Sequence, residues 1–312
     1  MQHIAISGET KNLSGGGTGF IGRAICKKLK NIGYEVLTVS RQPDLYSMSW
    51  NDLSHDGLPS SCVAVINVAG QNVLDPKRRW TPGFQQNVYA SRIHTTKLLA
   101  EQIQKMATPP RVFGVISGVG YYRTSQTETY TEDSPGGNHD YFSKLAADWE
   151  AASTLSPDCK VRRFIVRSGV VLGRTGGMIK QVYPPFFMGL GGPIGSGNQF
   201  FPWIHIEDIA GIFVHGVESD KVHGVLNGVA PQIITNKEFT QALARAMWRP
   251  ALIPLPALAV DLVFGKERAT MMLEGQRVIP KRTLESGYEY VYPDIKDACK
   301  ECAHLIIDSD EH

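Results

Sequence analysis

The chain has almost no excess of charge, no long apolar run and no even set of cysteines, and each lack removes a class of protein. Its 32 basic and 30 acidic residues leave a formal charge of +2 over 312 residues. That is too little to expect nucleic acid or an anionic membrane surface as a partner. The longest apolar stretches, such as residues 249–265, are interrupted by prolines and charges, so no transmembrane helix is expected. The opening Met1-Gln2-His3-Ile4-Ala5-Ile6 is too short, and too soon followed by polar residues, for a secretory signal. It also lacks the Arg-rich amphipathic character of a transit peptide, so a cytoplasmic protein is expected, with the mitochondrial matrix left open. The five cysteines, Cys26, Cys62, Cys159, Cys299 and Cys302, are odd in number and scattered, which reads as reduced thiols. Cys299-Lys300-Glu301-Cys302 is a lone C-x-x-C in a charged, helical tail, and no metal is expected there. There is no internal repeat and no low-complexity tract. What remains is ordinary for a globular protein, with 42% hydrophobic and 20% charged residues. The length suits one large α/β domain with a smaller lobe.

Glycine, by contrast, is concentrated where it carries chemistry. Ser14-Gly15-Gly16-Gly17-Thr18-Gly19-Phe20-Ile21-Gly22 runs into Arg23-Ala24-Ile25-Cys26-Lys27-Lys28-Leu29, which has helical apolar spacing. Gly16, Gly19 and Gly22 form a G-x-x-G-x-x-G fingerprint. The first glycine permits a tight turn, the second lets backbone N–H groups approach a pyrophosphate, and the third lets the helix pack closely on its strand. An anion then sits on the helix N-terminus, where unpaired N–H groups and the positive end of the dipole point. A first strand is expected over 2–6, but the polar residues 8–13 stand between it and the glycines. Either the strand lies instead at 11–14, or these residues bulge out before the turn.

A second strand, 34–39, ends in Ser40-Arg41. Arg41 lies nineteen residues after Gly22, where an NAD-preferring enzyme places a carboxylate for the ribose 2′-hydroxyl. A guanidinium there grips a 2′-phosphate instead, which points to NADP(H). Val63 to Gly70 reads as a buried strand ending in small residues, against which an adenine or ribose can lie. A basic loop, Asp75-Pro76-Lys77-Arg78-Arg79-Trp80, and a long helix over 82–106 follow. The strand 111–117 puts Ser117 at the crevice outside the strand ends, with Tyr121 and Tyr122 just beyond. The next helix covers 139–150 and the next strand 161–167, with 168–174 leading over the crevice. The segment 189–197 is glycine-rich and reads as a lid or pocket wall. His205, in the aromatic segment that follows, reads as a structural hydrogen-bonding residue. A capping box at Thr235-Asn236-Lys237-Glu238 opens a helix to Trp248, and the proline-punctuated stretch 250–290 reads as a smaller lobe. The expected organisation is a Rossmann-like doubly wound parallel sheet over 1–174 plus 203–230, a lid over 175–202, and a C-terminal substrate lobe over 231–312.

Together these motifs resemble the short-chain dehydrogenase/reductase superfamily in its extended form, which contains the nucleotide-sugar epimerases. The nearer resemblance is to its atypical epimerase-family subgroup, NADP-dependent oxidoreductases with a small C-terminal domain. It rests on 15–22, Val39-Ser40-Arg41, Asn67-Val68-Ala69-Gly70, Arg78-Arg79-Trp80 and Ser91-Arg92. Residues 117–122, 167–173, Trp203-Ile204-His205-Ile206 and 273–280 extend it over nearly the whole chain. The resemblance implies a cofactor set of Gly16, Thr18, Gly19, Phe20, Ile21, Gly22, Ser40, Arg41, Val68, Ala69, Asn87, Arg92 and Val171. Ser40 and Arg41 would meet the 2′-phosphate, Val68 and Ala69 the adenosine, Asn87 and Arg92 the cofactor from the long helix, and Val171 the nicotinamide.

The departure concerns the acid. The superfamily carries Tyr-x-x-x-Lys, but four residues before Lys144 stands Asp140. Tyr141 is three residues away from that lysine, about 100° round the helix from the usual position. The expected catalytic set is Ser117 polarising the substrate oxygen, Lys144 orienting the ribose, and Tyr141 or Tyr121 supplying the proton. Three functions are compatible with this. The leading one is an NADP(H)-dependent oxidoreductase acting on a small carbonyl or hydroxyl substrate. The others are a non-catalytic NADP(H)-binding sensor or scaffold, and a nucleotide-sugar epimerase. By the same resemblance, the helices starting at Pro82 and carrying Lys144 would pair two copies as a homodimer.

Overall fold

The computed structural model describes residues 2–7, 19–41, 43 and 47–303. Its strands in chain order are β1 (His3–Ser7), β2 (Glu35–Ser40), β3 (Ser47–Ser49), β4 (Cys62–Asn67), β5 (Val112–Gly118) and β6 (Thr129–Tyr130). They continue with β7 (Arg162–Ser168), β8 (Val170–Leu172), β9 (Trp203–His205), β10 (Gly224–Gly228) and β11 (Arg277–Val278). The helices are α1 (Phe20–Asn31), α2 (Trp50–Asp56), α3 (Pro82–Lys105), α4 (Tyr141–Ala152), α5 (Gly177–Phe187) and α6 (Ile206–Glu218). After them come α7 (Asn236–Ala246), α8 (Ala257–Phe264), α9 (Lys266–Leu273), α10 (Lys281–Glu285) and α11 (Ile295–Cys302).

Seven strands form one parallel sheet in the order β3-β2-β1-β4-β5-β7-β10. The order reverses between β1 and β4. Right-handed crossovers leaving that point in opposite directions place their helices on opposite faces. So α1 packs with α6, and α3 with α4. This is the doubly wound Rossmann-like sheet expected from the sequence. Apolar runs such as Ile4-Ala5-Ile6 and Val65-Ile66 are buried because helices cover both faces. A strand does form at His3–Ser7, bonded to β2 on one side and β4 on the other, and the alternative placement at 11–14 lies outside the described residues. The polar residues 8–13 and the start of the glycine loop lie outside the described residues.

Small residues make the layers close. Gly114 on β5 and Gly216 on α6 grip the ring of Phe164, and a Cβ on either would stand 2.5 or 2.4 Å from its Cζ. Gly216→Ala is therefore expected to lower stability by about 1–3 kcal/mol through overpacking, although alanine is the better helix former. Urea unfolding monitored by circular dichroism checks this, and an unchanged midpoint would contradict it.

The first part of the lid expected over 175–202 is a helix, α5, and residues 188–202 are irregular. α5 carries Pro184 and Pro185 in its last turns, and its Ile179 and Phe186 enter a second core. That core also holds Trp203, Phe239, Leu243, Ile295, Cys299 and Cys302, so the C-terminal helices α7 and α11 close over it. The two cysteines of the C-x-x-C are part of this packing. Burial pushes the Cys299 thiol up to about 12 and the Cys302 thiol further above its ordinary range, which keeps both protonated and inert. β8 and β9 pair with each other outside the main sheet and join the two cores.

Candidate functional site

A cavity of about 2190 Å³ opens at the C-terminal ends of the sheet strands, where the strand order reverses. One side is made by Gly19 to Arg23 at the start of α1, Arg41 after β2, Val68 after β4, Gly118 to Gly120 at the end of β5, and Ser168 to Val171. The other side comes from α5, residues 190–202, residues 253–256, and α8 with α9.

The start of α1 is built to receive negative charge. Its N-cap, Gly19, offers no side-chain cap, and its first turn has no acidic residue. Among the described residues no side chain caps the first N–H groups of the helix, and residues 19–23 line the cavity. Phe20 anchors this end. Its ring lies against Gly173, Gly176 and Gly177, and a Cβ on any of them would come within 2.6–3.0 Å of it. The loop after β8 is thereby pinned to the entry of α1. The roof is fixed as firmly. Buried Arg268 of α9 donates to the carbonyls of Val73 and Asp75 at 3.2 Å each, and Trp80 Nε1 donates to Glu267.

The expected cofactor set falls around this cavity, with exceptions. Gly19, Phe20, Ile21, Gly22, Arg41, Val68 and Val171 line it. Ser40 and Ala69 are buried just behind, the Ala69 N–H donating to Asn67 Oδ1 at 3.0 Å. Arg92 does not line the cavity, but its guanidinium lies on the backbone of Gly70, where a Cβ would come within 3.0 Å of Arg92 Cζ. Asn87 is exposed on α3 and takes no part in the lining. Gly16 and Thr18 lie outside the described residues.

The expected catalytic set is not brought together there, since none of Ser117, Tyr121, Tyr141 and Lys144 lines the cavity. Ser117 Oγ donates to Glu150 Oε1 at 2.8 Å, because alternation along β5 turns it toward α4 and presents Gly118 to the cavity. Glu150 is held in turn by Arg167 through Nε at 2.7 Å and Nη2 at 2.8 Å. Burial works against the Arg167 charge, but the hydrogen bond and charge of Glu150 outweigh it and hold the guanidinium above its ordinary range. The same guanidinium lies 3.4 Å from the ring centroid of Tyr121 and donates through Nη1 to the Tyr122 hydroxyl oxygen at 2.9 Å. Tyr141 donates its hydroxyl to the carbonyl of Gln85 at 3.1 Å, and burial pushes its phenol above the usual value. No lysine lowers it, because Lys144 is 73% exposed with Nζ 3.7 Å from Asp148 Oδ2.

What lines the cavity near the end of β5 is Asp140, the residue in the tyrosine's sequence position. It is the N-cap of α4, with Oδ1 accepting the Ser143 N–H at 2.7 Å. Further along, Thr124 Oγ1 donates to Glu274 Oε2 at 2.5 Å, and both line the cavity where the β5 loop meets the C-terminal residues. No local motif marks that pair, whose members are 150 residues apart. His205 caps α6, its ring accepting from the Glu207 N–H at 3.3 Å and its Nε2 lying 2.9 Å from Glu301 Oε2.

The parallel sheet, the switch-point cavity and the open helix N-terminus define a dinucleotide-binding α/β protein of Rossmann type. A profile of the NAD dependent epimerase/dehydratase family matches residues 15–227, and one of a domain of unknown function (DUF1731) matches residues 255–302. The chain belongs to the NAD dependent epimerase/dehydratase family. It is 54% identical over 289 residues to epimerase family protein SDR39U1 of Homo sapiens, spanning 93% of this chain and 98% of that protein. A chloroplastic SDR39U1 homolog of Arabidopsis thaliana is 35% identical over 298 residues, 91% of this chain and 84% of that one. The crystal structure of human SDR39U1 (isoform 2) with NADPH superposes with a TM-score of 0.92 at 51% identity, covering 97% of this chain and 99% of that one. No helix among the described residues is long and apolar enough to cross a membrane.

Proposed function

We infer that the chain is an NADP(H)-dependent oxidoreductase acting on a carbonyl or hydroxyl substrate. The observation that carries this is one cavity running from an uncapped helix N-terminus and Arg41 to the end of β5. The donor set suits the cofactor. The α1 N–H groups meet the pyrophosphate, Arg41 the 2′-phosphate, Val68 the adenosine side and Val171 the nicotinamide side. The NADPH in the human SDR39U1 structure supports the same reading. When bound, the nicotinamide supplies or takes a hydride. The protein must then hold the substrate oxygen and exchange one proton with it.

In this reading Asp140 performs the exchange, since the phenols of Tyr141 and Tyr121 do not line the cavity. Asp140→Asn is the test, because asparagine remains a good N-cap and leaves α4 intact. NADPH consumption with a panel of aldehydes and ketones is expected to fall about hundredfold in Asp140→Asn, within the usual range for general acid–base catalysis. Tyr141→Phe is expected to stay within about twofold of the unaltered chain. The reverse ranking would place the proton on Tyr141 and overturn the assignment.

A further inference from the structure

We propose that the substrate carries a hydrocarbon chain, which lies along the C-terminal side of the cavity and emerges at an apolar mouth. This rests on the oxidoreductase reading above, which places the reacting end of the substrate at the end of β5. Four residues from three separate segments line the cavity and are nevertheless open to solvent. Leu190 and Ile253 are each 53% exposed, and Leu255 and Met271 each 42%. Single exposed apolar residues are normal, but four converging on one rim mark a surface that binds something apolar. Deeper in, buried Phe186 and half-buried Phe264 continue the same wall.

Charge supports the assignment. On this side the lining carries Lys180 at the start of α5 and Glu274 after α9, and the stretch between them, including all four rim residues, contributes no charged side chain. A sugar nucleotide reaching the rim of Leu190, Ile253, Leu255 and Met271 would bring a diphosphate with no opposite charge among those residues to offset its desolvation. A hydrocarbon chain carries no such cost, and each buried methylene favours binding by roughly fourfold.

The mouth is also preformed rather than a loose edge. Residues 253–255 are laced to 191–195 by Ile253 N–H to the Gly191 carbonyl at 3.2 Å, Leu255 N–H to the Pro193 carbonyl at 2.9 Å, and Gly195 N–H to the Leu255 carbonyl at 2.9 Å. Gly192 makes this approach possible, since a Cβ there would lie 1.9 Å from the Ile253 carbonyl oxygen. Gly191 packs on the Phe186 ring in the same way, its Cβ position 2.7 Å from Cγ. The glycines of 189–197 therefore serve to dock two chain segments that together present apolar side chains to the cavity. A second copy of the chain is the competing occupant of this rim, and Leu258 and Leu262 on the exposed side of α8 would extend such an interface.

The test uses the full chain with saturating NADPH and cis-parinaric acid, a polyene fatty acid that fluoresces strongly only in apolar surroundings. Saturable emission is expected, weakened about tenfold or more by Leu255→Glu and by Met271→Glu, which remove one apolar contact each and put a charge on the rim. Both positions are exposed, so far-ultraviolet circular dichroism should stay unchanged, and NADPH affinity, titrated separately, should stay within about twofold. No saturable emission from a chain that binds NADPH overturns the proposal and leaves the oxidoreductase reading standing. Emission indifferent to both substitutions overturns it as well. So does a dimer, seen by sedimentation velocity, that Leu255→Glu dissociates. Failure to bind NADPH overturns the oxidoreductase reading and this proposal with it.

Discussion

Replacing Arg167 by methionine is expected to cost about 3–5 kcal/mol of folding stability, the largest single effect anticipated in this chain. Arg167 is 4% exposed and Glu150, its partner, 12%. Methionine keeps much of the volume and removes the charge. Glu150 would then keep the Ser117 hydroxyl as its remaining side-chain donor, inside a core that water reaches poorly. The loss would spread through what the guanidinium joins. It connects α4 through Glu150, the loop after β5 through Tyr121 and Tyr122, and the strand β7 on which it sits. Tyr122 in turn donates to Asn227 on β10 at 2.8 Å. The double variant Arg167→Met with Glu150→Leu removes both charges together and is expected to recover most of the deficit. Urea unfolding of the two variants measures this. Equal losses in both would show that packing, and not the isolated carboxylate, sets the cost.

Replacing Arg41 by alanine is expected to weaken NADPH binding about ten- to hundredfold while leaving NADH nearly unchanged. A hydrogen bond to a charged group contributes about 1.5–3 kcal/mol, and each 1.4 kcal/mol is a factor of ten. Arg41 stands just after β2, exposed and lining the cavity, so its truncation should leave the fold intact. The effect should shrink as salt rises, since an exposed charge is screened at short range. Fluorescence titration of both nucleotides at two salt concentrations reads it. Equal loss for NADPH and NADH would mean that Arg41 supports the loop and does not read the 2′-phosphate.

The side of the cavity lined by Gly19, Gly22 and Arg41 was legible because its signals are local. Gly19 and Gly22 mark the entry to α1, and Arg41 follows β2 at a distance fixed by one β-α-β unit. The side of the cavity near β5 was not, and the reason is β5 itself. That strand is buried on both faces, so its sequence shows no polar alternation to tell which parity faces the crevice. A one-residue difference in parity exchanges Ser117 for Gly118 at the cavity. The helical nature of 177–187 was hidden by Pro184 and Pro185, which a helix normally excludes from its interior. The second core, joining α5 to α7 and α11, depends on contacts far apart in sequence that no local period records. The capping boxes at Asp140 and Thr235 show the other side of this. The one at Thr235 was plain from its spacing, whereas at Asp140 serine takes the place of the usual Glu or Gln.

The most direct test of the account is the affinity of the unaltered chain for NADPH against NADH, by fluorescence titration at fixed salt. The account predicts saturable binding of NADPH and a preference over NADH of about tenfold or more, equivalent to about 1.4 kcal/mol. Binding of neither nucleotide, or equal binding of both, would contradict it.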